Sequence, residues 1–577
     1  MKKKWISAML SLSLVASLAA CGGKGEPTPT PTTGGPTVIQ GEAQGRNGIL
    51  KVDVTLNGET IEAVTVTEHT ETAGVADPAI NDLPSAILAA QSIAVDGVAG
   101  ATITSDAIKA AVKDALTKTG LDTAKYEAAT DKTLTQKDAE TADVVIVGAG
   151  LAGVMAANEF KSNYPQLNVV LLEQLGQIGG SLPATGGAIL ATDSTRHQEL
   201  DMVCTPSDIA DYLKESSMTD DLNTDLIENV YALSGESFDL LVNAGLPLQD
   251  GLSASSPHNE KIFAAWAEDR GAGFHQFLTG YVENAGFDLR LNSRVTGLVV
   301  ENGTVTGVAV EDKEYAYQIN AKAVLLCTGG FASNAELMAQ YAPVWSKGQI
   351  TVNAGANGDA ITFTRQFGTP VTGNGTMGTL ALYEGQGGVQ TTFMVGPDGR
   401  RFVNEQIAGY RVQRATADIG GIAYRIATAT DATRETLETN VTTGGTKKFD
   451  ALEELADAMG IDKEGLLAEV SEYTAQAQAG GEVKFGLPAE AAMDLSQGPY
   501  YVAKVTTGTF GTLSGIVVKD NCQVSDGDGN GIPGLFAAGE TIVNNAYTYQ
   551  YPGAGFGISF AVNSGRYAAQ QVANSLK

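Results

Sequence analysis

The sequence predicts an α/β protein whose largest part is a doubly wound, mostly parallel sheet. One observation is a continuous apolar run at residues 143–147, typical of a strand buried on both faces, which leads into a glycine-rich turn and a helical stretch. Another is an earlier pair of alternating segments, 49–56 and 61–66, joined at Asn57-Gly58, which predicts a β-hairpin. A smaller α+β domain is therefore expected to precede the α/β domain.

Length and composition describe a globular chain with a strong negative charge. The 577 residues are enough for several domains with their own cores, and 43% of them are hydrophobic. A net charge of −29 argues against nucleic acid or an anionic membrane surface as a partner. The four cysteines, Cys21, Cys204, Cys327 and Cys522, form no Cys-x-x-Cys pair, and the chain has four histidines. We therefore expect neither a haem site nor a metal centre.

The N-terminus has the pattern of a secretory signal. Three lysines precede an apolar run from about Trp5 to Ala20, which matches the basic and hydrophobic regions of such signals. Small residues stand directly before Cys21, and this ending resembles a bacterial lipobox, whose cysteine becomes the lipidated first residue. An ordinary signal peptide with a chance cysteine is the alternative. With residues 1–20 removed, we expect a lipid anchor that holds the chain at the extracellular face of the cell membrane.

A proline- and threonine-rich stretch follows within residues 21–37. This composition cannot pack a core and favours an extended spacer. No later segment is apolar enough to be read as a membrane span. The folded domains are therefore expected to stand off the membrane on a tether.

Residues 38–119 are predicted to form the small α+β domain. Ile108, Val112 and Ala115 share one face at helical spacing, with charged residues elsewhere. A glycine-rich turn precedes this helix and places Thr102 just before the helix N-terminus, a position that favours a phosphate group. A plain turn followed by a helix cap is the alternative.

This segment resembles the FMN-binding domain shared with subunits of sodium-pumping quinone reductases. Their motif, roughly Asp-x-x-Ser/Thr-Gly-Ala-Thr, is matched by Asp96, Gly100, Ala101 and Thr102, and residues 69–74 resemble a second segment of that domain. Two departures are alanines in place of the motif's Ser/Thr and of a proline in the second segment. The resemblance implies that a flavin transferase joins FMN to Thr102 through a phosphoester, and that Asp96 is needed for the attachment.

A mostly polar stretch, residues 120–141, is predicted to link this domain to a dinucleotide-binding motif. Gly148, Gly150 and Gly153 are spaced as Gly-x-Gly-x-x-Gly between a strand and a helix. Glycines there allow a tight turn, close backbone approach to a pyrophosphate and close packing of the helix. A second apolar strand ends at Glu173, about 20 residues after the third glycine, where an acid accepts hydrogen bonds from a ribose. The whole unit predicts a bound dinucleotide.

Further glycine-rich segments favour FAD over NAD as that dinucleotide. Segments 179–187 and 327–331, with a third near the C-terminus, resemble the flavoprotein subunits of fumarate reductase and succinate dehydrogenase and their soluble relatives. The resemblance implies a non-covalent FAD in a domain formed by residues 142–370 and 506–577, interrupted by an α+β clamp domain at residues 371–505. Segment 295–310, with Asn302-Gly303 at its centre, resembles the hairpin of that FAD domain. The further cofactor contacts that it implies are Gln174, Gly180, Ser181, Thr185, Gly186, Gly187, Thr328, Gly329, Gly330, Asp359, Gly539, Glu540 and Gly555.

A chain that combines both domains resembles the soluble fumarate and urocanate reductases that carry an FMN domain ahead of the FAD domain. In those proteins electrons pass from FMN to FAD and leave as a hydride, and a clamp-domain arginine protonates the other carbon. Residues 400–405 match the segment before that arginine, whose own position is Gly409 in this chain. We therefore assign proton donation to Arg411, two residues after that position, with Tyr410 beside it and Arg414 close by. The resemblance implies that Glu384 is an acid of the proton relay. A surface arginine on the following helix is the alternative.

The substrate pocket is expected to differ from that of fumarate reductases. Segment 510–515 lacks the family's histidines and segment 549–555 lacks its arginine, so two carboxylates would have no cationic partners. We therefore expect an acceptor with at most one carboxylate, or an amino acid, or a neutral and partly aromatic molecule, and not fumarate. The expected pocket walls are Tyr383, Phe510, Gly511, Tyr549 and Tyr551. For any one of these aromatic residues, packing in the core is the alternative.

The sequence as a whole predicts an extracellular respiratory flavoprotein. The leading hypothesis is the reduction of a small unsaturated carboxylate or enone, with a membrane electron-transfer chain as the electron donor. One alternative is reduction of another oxidised group, such as a sulfoxide. Others are an electron-transfer flavoprotein without a small substrate, and a dehydrogenase that works in the opposite direction.

Overall fold

The computed structural model describes most of the chain from residue 36 to residue 577. The described residues are 36–45, 48–71, 76–95, 97–98, 101–127, 134–217, 219, 221–256, 260–346, 349–350, 355–383, 388–389, 393–407 and 409–577. No helix within them is both long enough and apolar enough to cross a lipid bilayer. The expected signal peptide, the expected lipidation site Cys21 and nearly all of the tether lie outside this part of the chain.

The N-terminal domain is an antiparallel sheet with helices packed against it. Its elements are β1 (Thr37–Gln44), β2 (Ile49–Asn57), β3 (Thr60–Glu68), α1 (Asp77–Ala90), α2 (Thr102–Lys118) and α3 (Ala124–Glu127). Alternate residues of β2, Leu50, Val52 and Val54, are fully buried and belong to one core with Ile108 and Val112 of α2. The hairpin and the amphipathic helix that the apolar pattern predicts are both present.

The described residues of the stretch predicted as a linker, residues 120–141, contain a short helix and a short strand. Helix α3 places Tyr126 in the core of the N-terminal domain, where its hydroxyl donates a hydrogen bond of 2.6 Å to the carbonyl oxygen of Glu59. At the other end, strand β4 (Thr135–Gln136) already pairs with the large sheet of the next domain. So short a helix has no readable apolar period, which is why the sequence pattern does not show it.

The large domain is built on a mixed sheet in which β10, β6, β5 and β13 lie side by side in parallel. Its elements before the clamp are β5 (Glu140–Val147), α4 (Leu151–Asn163), β6 (Val169–Leu172), β7 (Ala188–Leu190), α5 (Thr195–Glu199), α6 (Pro206–Ser217), α7 (Thr224–Tyr231), α8 (Ser234–Asn243), β8 (Ser253–Ala254), β9 (Phe263–Trp266), α9 (Arg270–Ala285), β10 (Asp288–Arg290), β11 (Arg294–Glu301), β12 (Thr304–Glu311), β13 (Tyr315–Leu326), α10 (Ala335–Tyr341), β14 (Gln349–Ile350) and α11 (Asp359–Thr364). Strands β11 and β12 form the hairpin predicted around Asn302-Gly303. This sheet confirms the predicted doubly wound α/β class.

The clamp domain is an antiparallel sheet centred on one long strand. Its elements are β15 (Val371–Thr372), β16 (Thr376–Leu382), β17 (Phe393–Val395), α12 (Gly409–Asp418), β18 (Ile422–Thr428), α13 (Arg434–Thr442), β19 (Lys447–Phe449), α14 (Leu452–Met459), α15 (Lys463–Ala479), β20 (Glu482–Val483), β21 (Leu487–Pro488) and β22 (Tyr500–Thr512). Helix α12 packs on one face through Val412, and α14 and α15 bury Leu455 and Leu466 in a separate core. Because β22 runs through the predicted clamp boundary at residue 505, one strand serves both domains.

The chain then returns to the large domain. Its last elements are β23 (Gly515–Ile516), β24 (Gln523–Ser525), β25 (Gly531–Ala537), a 3-10 helix at Gly539–Asn545 and α16 (Phe556–Ser575). Three further 3-10 helices occur earlier in the chain, at Leu182–Ala184, Arg365–Phe367 and Ala489–Ala491. Strand β25 joins the large sheet in parallel beside β13, with Leu535 opposite Val324. The carboxyl ends of β5, β6, β13 and β25 consequently meet along one edge of the sheet.

Arg566 is a buried cation that ties three helices of the large domain together. Its side chain is 2% exposed, and Nε donates to Glu159 Oε2 of α4 at 2.8 Å. Nη1 donates to Ser237 at 2.9 Å and Nη2 to Glu236 at 2.6 Å, both on α8. Glu159 is as deeply buried as the arginine, whereas Glu236 is 68% exposed. The pair with Glu159 is therefore the one that removal of the arginine would leave uncompensated.

Replacing Arg566 with Met is expected to destabilise the large domain by about 3–5 kcal/mol, because Glu159 would remain buried without its cation. Trp266 and Trp345 both lie in this domain, so urea unfolding followed by tryptophan fluorescence measures it. The matched control is the double variant Glu159→Met/Arg566→Met, which removes both charges and should recover most of the loss. Equal stability of the single and the double variant would contradict this account.

Candidate flavin and substrate site

A cavity runs along the carboxyl ends of the parallel strands of the large domain. Residues that follow β5, β6, β13 and β25 line it, together with the start of α16 and, at one end, the clamp strands β16 and β22. The space not filled by protein atoms, counted together with its open mouth, is about 1790 Å³. The cavity lies at the sheet edge where open α/β sheets bind their ligands.

Glycines form one wall of this cavity because side chains would not fit there. Gly148 has a φ of +102°, and a Cβ on it would lie 2.4 Å from the carbonyl oxygen of Cys327. A Cβ on Gly153 would lie 1.9 Å from the carbonyl oxygen of Gly148, so this glycine lets α4 pack against the turn. Gly150 and Gly329 face open space in the cavity. A side chain at either position would fill the space that a pyrophosphate needs.

Acidic residues stand near the end of this wall. Glu173 Oε2 accepts a hydrogen bond from the Ala149 amide and Oε1 accepts one from the Leu175 amide, both at 2.9 Å. Burial raises the pKa of Glu173. Burial also raises the pKa of Asp359, and the Arg294 guanidinium, 3.8 Å away, opposes that rise. A carboxylate has more acceptor sites than Glu173 uses here, so it fits the ribose hydroxyls of a dinucleotide.

The other residues expected to contact FAD also line this cavity. They are Gln174, Gly180, Ser181, Thr185, Gly186, Gly187, Thr328, Gly330, Gly539, Glu540 and Gly555. Sequence reasoning missed several further lining residues, which belong to no recognisable motif: Trp266, Ser293, Arg294, Ala356, Met377 and Tyr547. The glycine wall and the buried acid fit an FAD.

Glu540 faces the cavity near the clamp strands. Its Oε1 accepts hydrogen bonds from the Thr512 amide at 2.7 Å and from the Thr512 hydroxyl at 3.3 Å. Gly511 makes room for it, since a Cβ there would lie 2.6 Å from this oxygen and 2.4 Å from the methyl carbon of Met377. Burial raises the pKa of Glu540 to about 7, because its carboxyl faces the cavity and not the bulk solvent.

Aromatic residues form the walls at the clamp end. Phe510 and Tyr551, both expected there from the sequence, line the cavity, and so does Tyr547. The hydroxyl oxygen of Tyr551 accepts a hydrogen bond of 3.0 Å from the Gly557 amide. Burial raises the pKa of Tyr551 to about 12, so its hydroxyl keeps a proton that it can donate to another acceptor.

Two other tyrosines expected in the pocket lie apart from the lining. Tyr549 packs beside it, with the Arg414 guanidinium 4.3 Å from its ring centroid. Tyr383 follows the outer end of β16, is 46% exposed, and has Lys504 Nζ 3.7 Å from its ring centroid. Met377 at the inner end of the same strand does line the cavity, and six residues of strand span about 20 Å. The structure therefore does not bring Tyr383 to the pocket.

The structure describes only some of the side chains that were expected to be catalytic. Arg411 lies on α12, is exposed, and is not part of the cavity lining. Tyr410 belongs to the same helix, but its side chain lies outside the described part of the chain, as does all of Glu384. Their roles in proton transfer therefore stay a prediction.

Thr102 is the first residue of α2 in the N-terminal domain. The N-cap position is held by Ala101, whose carbonyl oxygen accepts a hydrogen bond from the Ser105 amide at 2.7 Å. Ala101 has no side-chain oxygen to cap the helix, and the amides of a first helical turn are donors that a phosphate can accept from. The side chain of Thr102, and all of Asp96 and Gly100, lie outside the described residues.

The Glu540→Gln variant is expected to have a flatter pH dependence of stability than the flavin-free parent protein. With a pKa of about 7 in the folded protein against an ordinary 4.5, Glu540 keeps its proton in this range while the unfolded chain has lost it. The folded state binds more protons, so stability falls as pH rises from about 5 to 7, by at most about 1.4 kcal/mol per pH unit.

Urea unfolding between about pH 5 and 8 measures this difference. The exposed residue Glu301 in the same domain gives the matched control Glu301→Gln, which should keep the parent slope. Parallel curves for the parent and Glu540→Gln would show that the carboxyl ionises as it does in water.

Comparison with known proteins agrees with this geometry. A family model described as an FAD binding domain matches residues 143–558, and one described as an FMN-binding domain matches residues 45–117. The chain is 28% identical to urocanate reductase of Eggerthella lenta, over 92% of each protein. It is 25% identical to NADH:acrylate oxidoreductase of Vibrio harveyi over 86% of this chain, which spans 57% of that protein.

The fold is also similar to a solved structure, the open conformation of a flavocytochrome c3 fumarate reductase. The TM-score is 0.63 at 24% identity, over 79% of this chain and 84% of that one. The FAD model covers well over half of the chain, and its bounds enclose the clamp and most of both parts of the large domain. The chain therefore belongs to the FAD-binding family and is a flavin-dependent oxidoreductase with an FMN-binding domain ahead of its FAD-binding domain.

Proposed function

We propose that the chain is a lipid-anchored reductase at the extracellular face of the cell membrane. Electrons pass from an FMN on Thr102 to FAD and then to a small organic acceptor with an activated carbon–carbon double bond. The observation that carries the proposal is one cavity that joins the dinucleotide wall at Gly150 and Glu173 to the clamp residues Met377 and Phe510. An acceptor at the clamp end shares this cavity with the dinucleotide.

The acceptor carries a carboxylate or a ketone beside its double bond. The urocanate and acrylate reductases to which the chain is similar support this class. The Tyr551 hydroxyl, which lines the cavity, can donate to one oxygen of such a group. The segments 510–515 and 549–555 lack the histidines and the arginine that a second carboxylate would need, so fumarate is a poor substrate.

The reduction adds two electrons and two protons across the double bond. When bound, FAD supplies a hydride equivalent to one carbon, and the other carbon takes a proton. Phe510 and Met377 keep water from the reacting carbons, and the Tyr551 hydroxyl orients the acceptor through its oxygen. Arg411 is the proposed proton donor, with Tyr410 and Glu384 as its partners. An arginine is a very weak acid, so it can protonate only a strongly basic centre, which the carbon becomes after hydride addition.

The N-terminal domain delivers the electrons. Its helix α2 begins at Thr102 without a capping side chain, which suits a phosphate, and a flavin transferase makes the phosphoester. A covalent bond has a physical reason outside a cell, where a dissociated cofactor could not be recaptured. The lipobox-like Cys21 and the tether keep this domain close to a membrane electron-transfer chain, which is the proposed donor.

The acceptor class is tested with flavin-loaded enzyme and a chemically reduced viologen dye. We expect unsaturated monocarboxylates or enones to oxidise the dye at least about tenfold faster than fumarate, because a second, unpaired buried carboxylate costs several kcal/mol. The control Gly153→Val, whose side chain would clash with the Gly148 carbonyl, should lose both FAD and activity. Turnover of sulfoxides alone, or of none of these acceptors, would refute the proposed reaction.

The covalent FMN is tested by Thr102→Val in protein produced together with a flavin transferase. The variant should lose all flavin fluorescence that survives denaturation, and keep its releasable FAD, because the phosphoester needs the hydroxyl. Thr117→Val is the matched control, an exposed threonine on the same helix that should keep full attachment. Denaturation-resistant flavin in Thr102→Val would place the attachment elsewhere.

A further inference from the structure

Helix α12 carries an arginine that the proposed reaction leaves without a role. Arg411 is exposed, but Arg414, one turn later, has a side chain that is only 14% exposed. Its guanidinium lies over the ring of Tyr549, which belongs to the large domain, at 4.3 Å from the ring centroid. Arg414 thus reaches from the clamp to the other domain, and this contact holds its planar group in a fixed orientation.

The hydrogen bonding of Arg414 is incomplete. Its Nε donates to Asp418 Oδ1 at 3.0 Å, and that carboxylate is 46% exposed, so solvent screens it. Nη1 is buried and has no hydrogen-bond partner among the described residues. A guanidinium can only donate, and a buried charged donor without an acceptor is costly. The end of this side chain is therefore suited to an acceptor that is not part of the described chain.

The position of Arg414 is beside the clamp end of the cavity. Its helix neighbour Gln413 has Oε1 at 3.4 Å from the place of a Cβ on Gly378, and Gly378 lines the cavity. Its stacking partner Tyr549 is two residues before Tyr551, which also lines the cavity. The arginine therefore lies where the clamp strand β16 and the segment containing Tyr549 and Tyr551 meet.

We propose that Arg414 binds the carboxylate of an unsaturated monocarboxylate acceptor, and that Tyr549 holds the guanidinium in place for it. This inference rests on the proposed reductase function and adds the group that recognises the substrate. One free guanidinium end accommodates one carboxylate, through paired N–H donors that match its two oxygens. Arg414 is a substrate-binding residue here, separate from the proton donor.

The test compares acids with their neutral counterparts in the flavin-loaded enzyme. Cinnamate and urocanate are each assayed beside their methyl esters with wild type, Arg414→Gln and Arg414→Lys. We expect Arg414→Gln to raise KM for the acids by about 10- to 100-fold and to leave KM for the esters nearly unchanged. Arg414→Lys keeps the charge but loses the planar donor pair and the stacking, and should fall between.

Arg434→Gln is the matched control, an exposed arginine at the start of α13 in the same domain, and should behave as wild type. The FAD content of every variant is measured to show that the variant is folded. If Arg414→Gln does not fold, Arg414→Lys is compared with wild type in its place. Arg411→Gln is assayed in parallel, because a change in KM for acids there, with none in the Arg414 variants, would overturn the assignment. Equal effects on acids and esters would overturn it as well.

Binding separates this inference from the reductase proposal. Cinnamate is titrated into the oxidised enzyme and its Kd is read from the change in flavin absorption. If wild type binds cinnamate but reduces no acceptor, the proposed reaction fails, and a weaker Kd in Arg414→Gln alone still supports the carboxylate site. If wild type binds and reduces only the esters, the carboxylate assignment fails and the reductase proposal stands.

Discussion

The structure depends on how closely backbone segments approach one another beside the cavity. Gly153 brings helix α4 against the Gly148 carbonyl, and Gly148 lies against the carbonyl of Cys327 at the end of β13. Gly565 does the same between α16 and α4, since a Cβ there would lie 2.2 Å from the carbonyl oxygen of Ala152. These contacts leave no space for one methyl group. The N-termini of α4 and α16 and the carboxyl ends of β5, β6, β13 and β25 surround one space, and that arrangement makes the cavity a dinucleotide site.

The parts of the fold that sequence predicts are those whose signal is local. The strand at 143–147, the glycine spacing after it and the hairpin at Asn302-Gly303 each depend on neighbouring residues, and each is present. The element that the sequence does not reveal depends on a distant partner. Tyr126 sits in a four-residue helix, and only its burial beside Glu59 makes that helix part of the N-terminal domain.

The candidate site likewise has a part that local sequence signals predict and a part that depends on distant residues. The FAD contacts lie in short motifs that directly follow strands, so sequence predicts most of them. The clamp end depends on the register between β16 and β22 and on which face of α12 meets the sheet. That register pairs Gly378 with Thr509 and puts Met377 at the cavity, leaving Tyr383 about 20 Å farther along. Burial of Val412 sets the face of α12, and no apolar period in so polar a helix predicts it.

Strand β22 makes substrate recognition and clamp position mechanically dependent on each other. Its first half pairs with β18 inside the clamp core, and its second half ends at Phe510 and Thr512 beside Glu540. A displacement of the clamp sheet must therefore move the cavity wall, because the strand is hydrogen-bonded along both halves. Arg414 over Tyr549 crosses the same junction from the other side. An acceptor held between this cation and Phe510 contacts both domains, so its binding energy favours the clamp position in which both contacts exist.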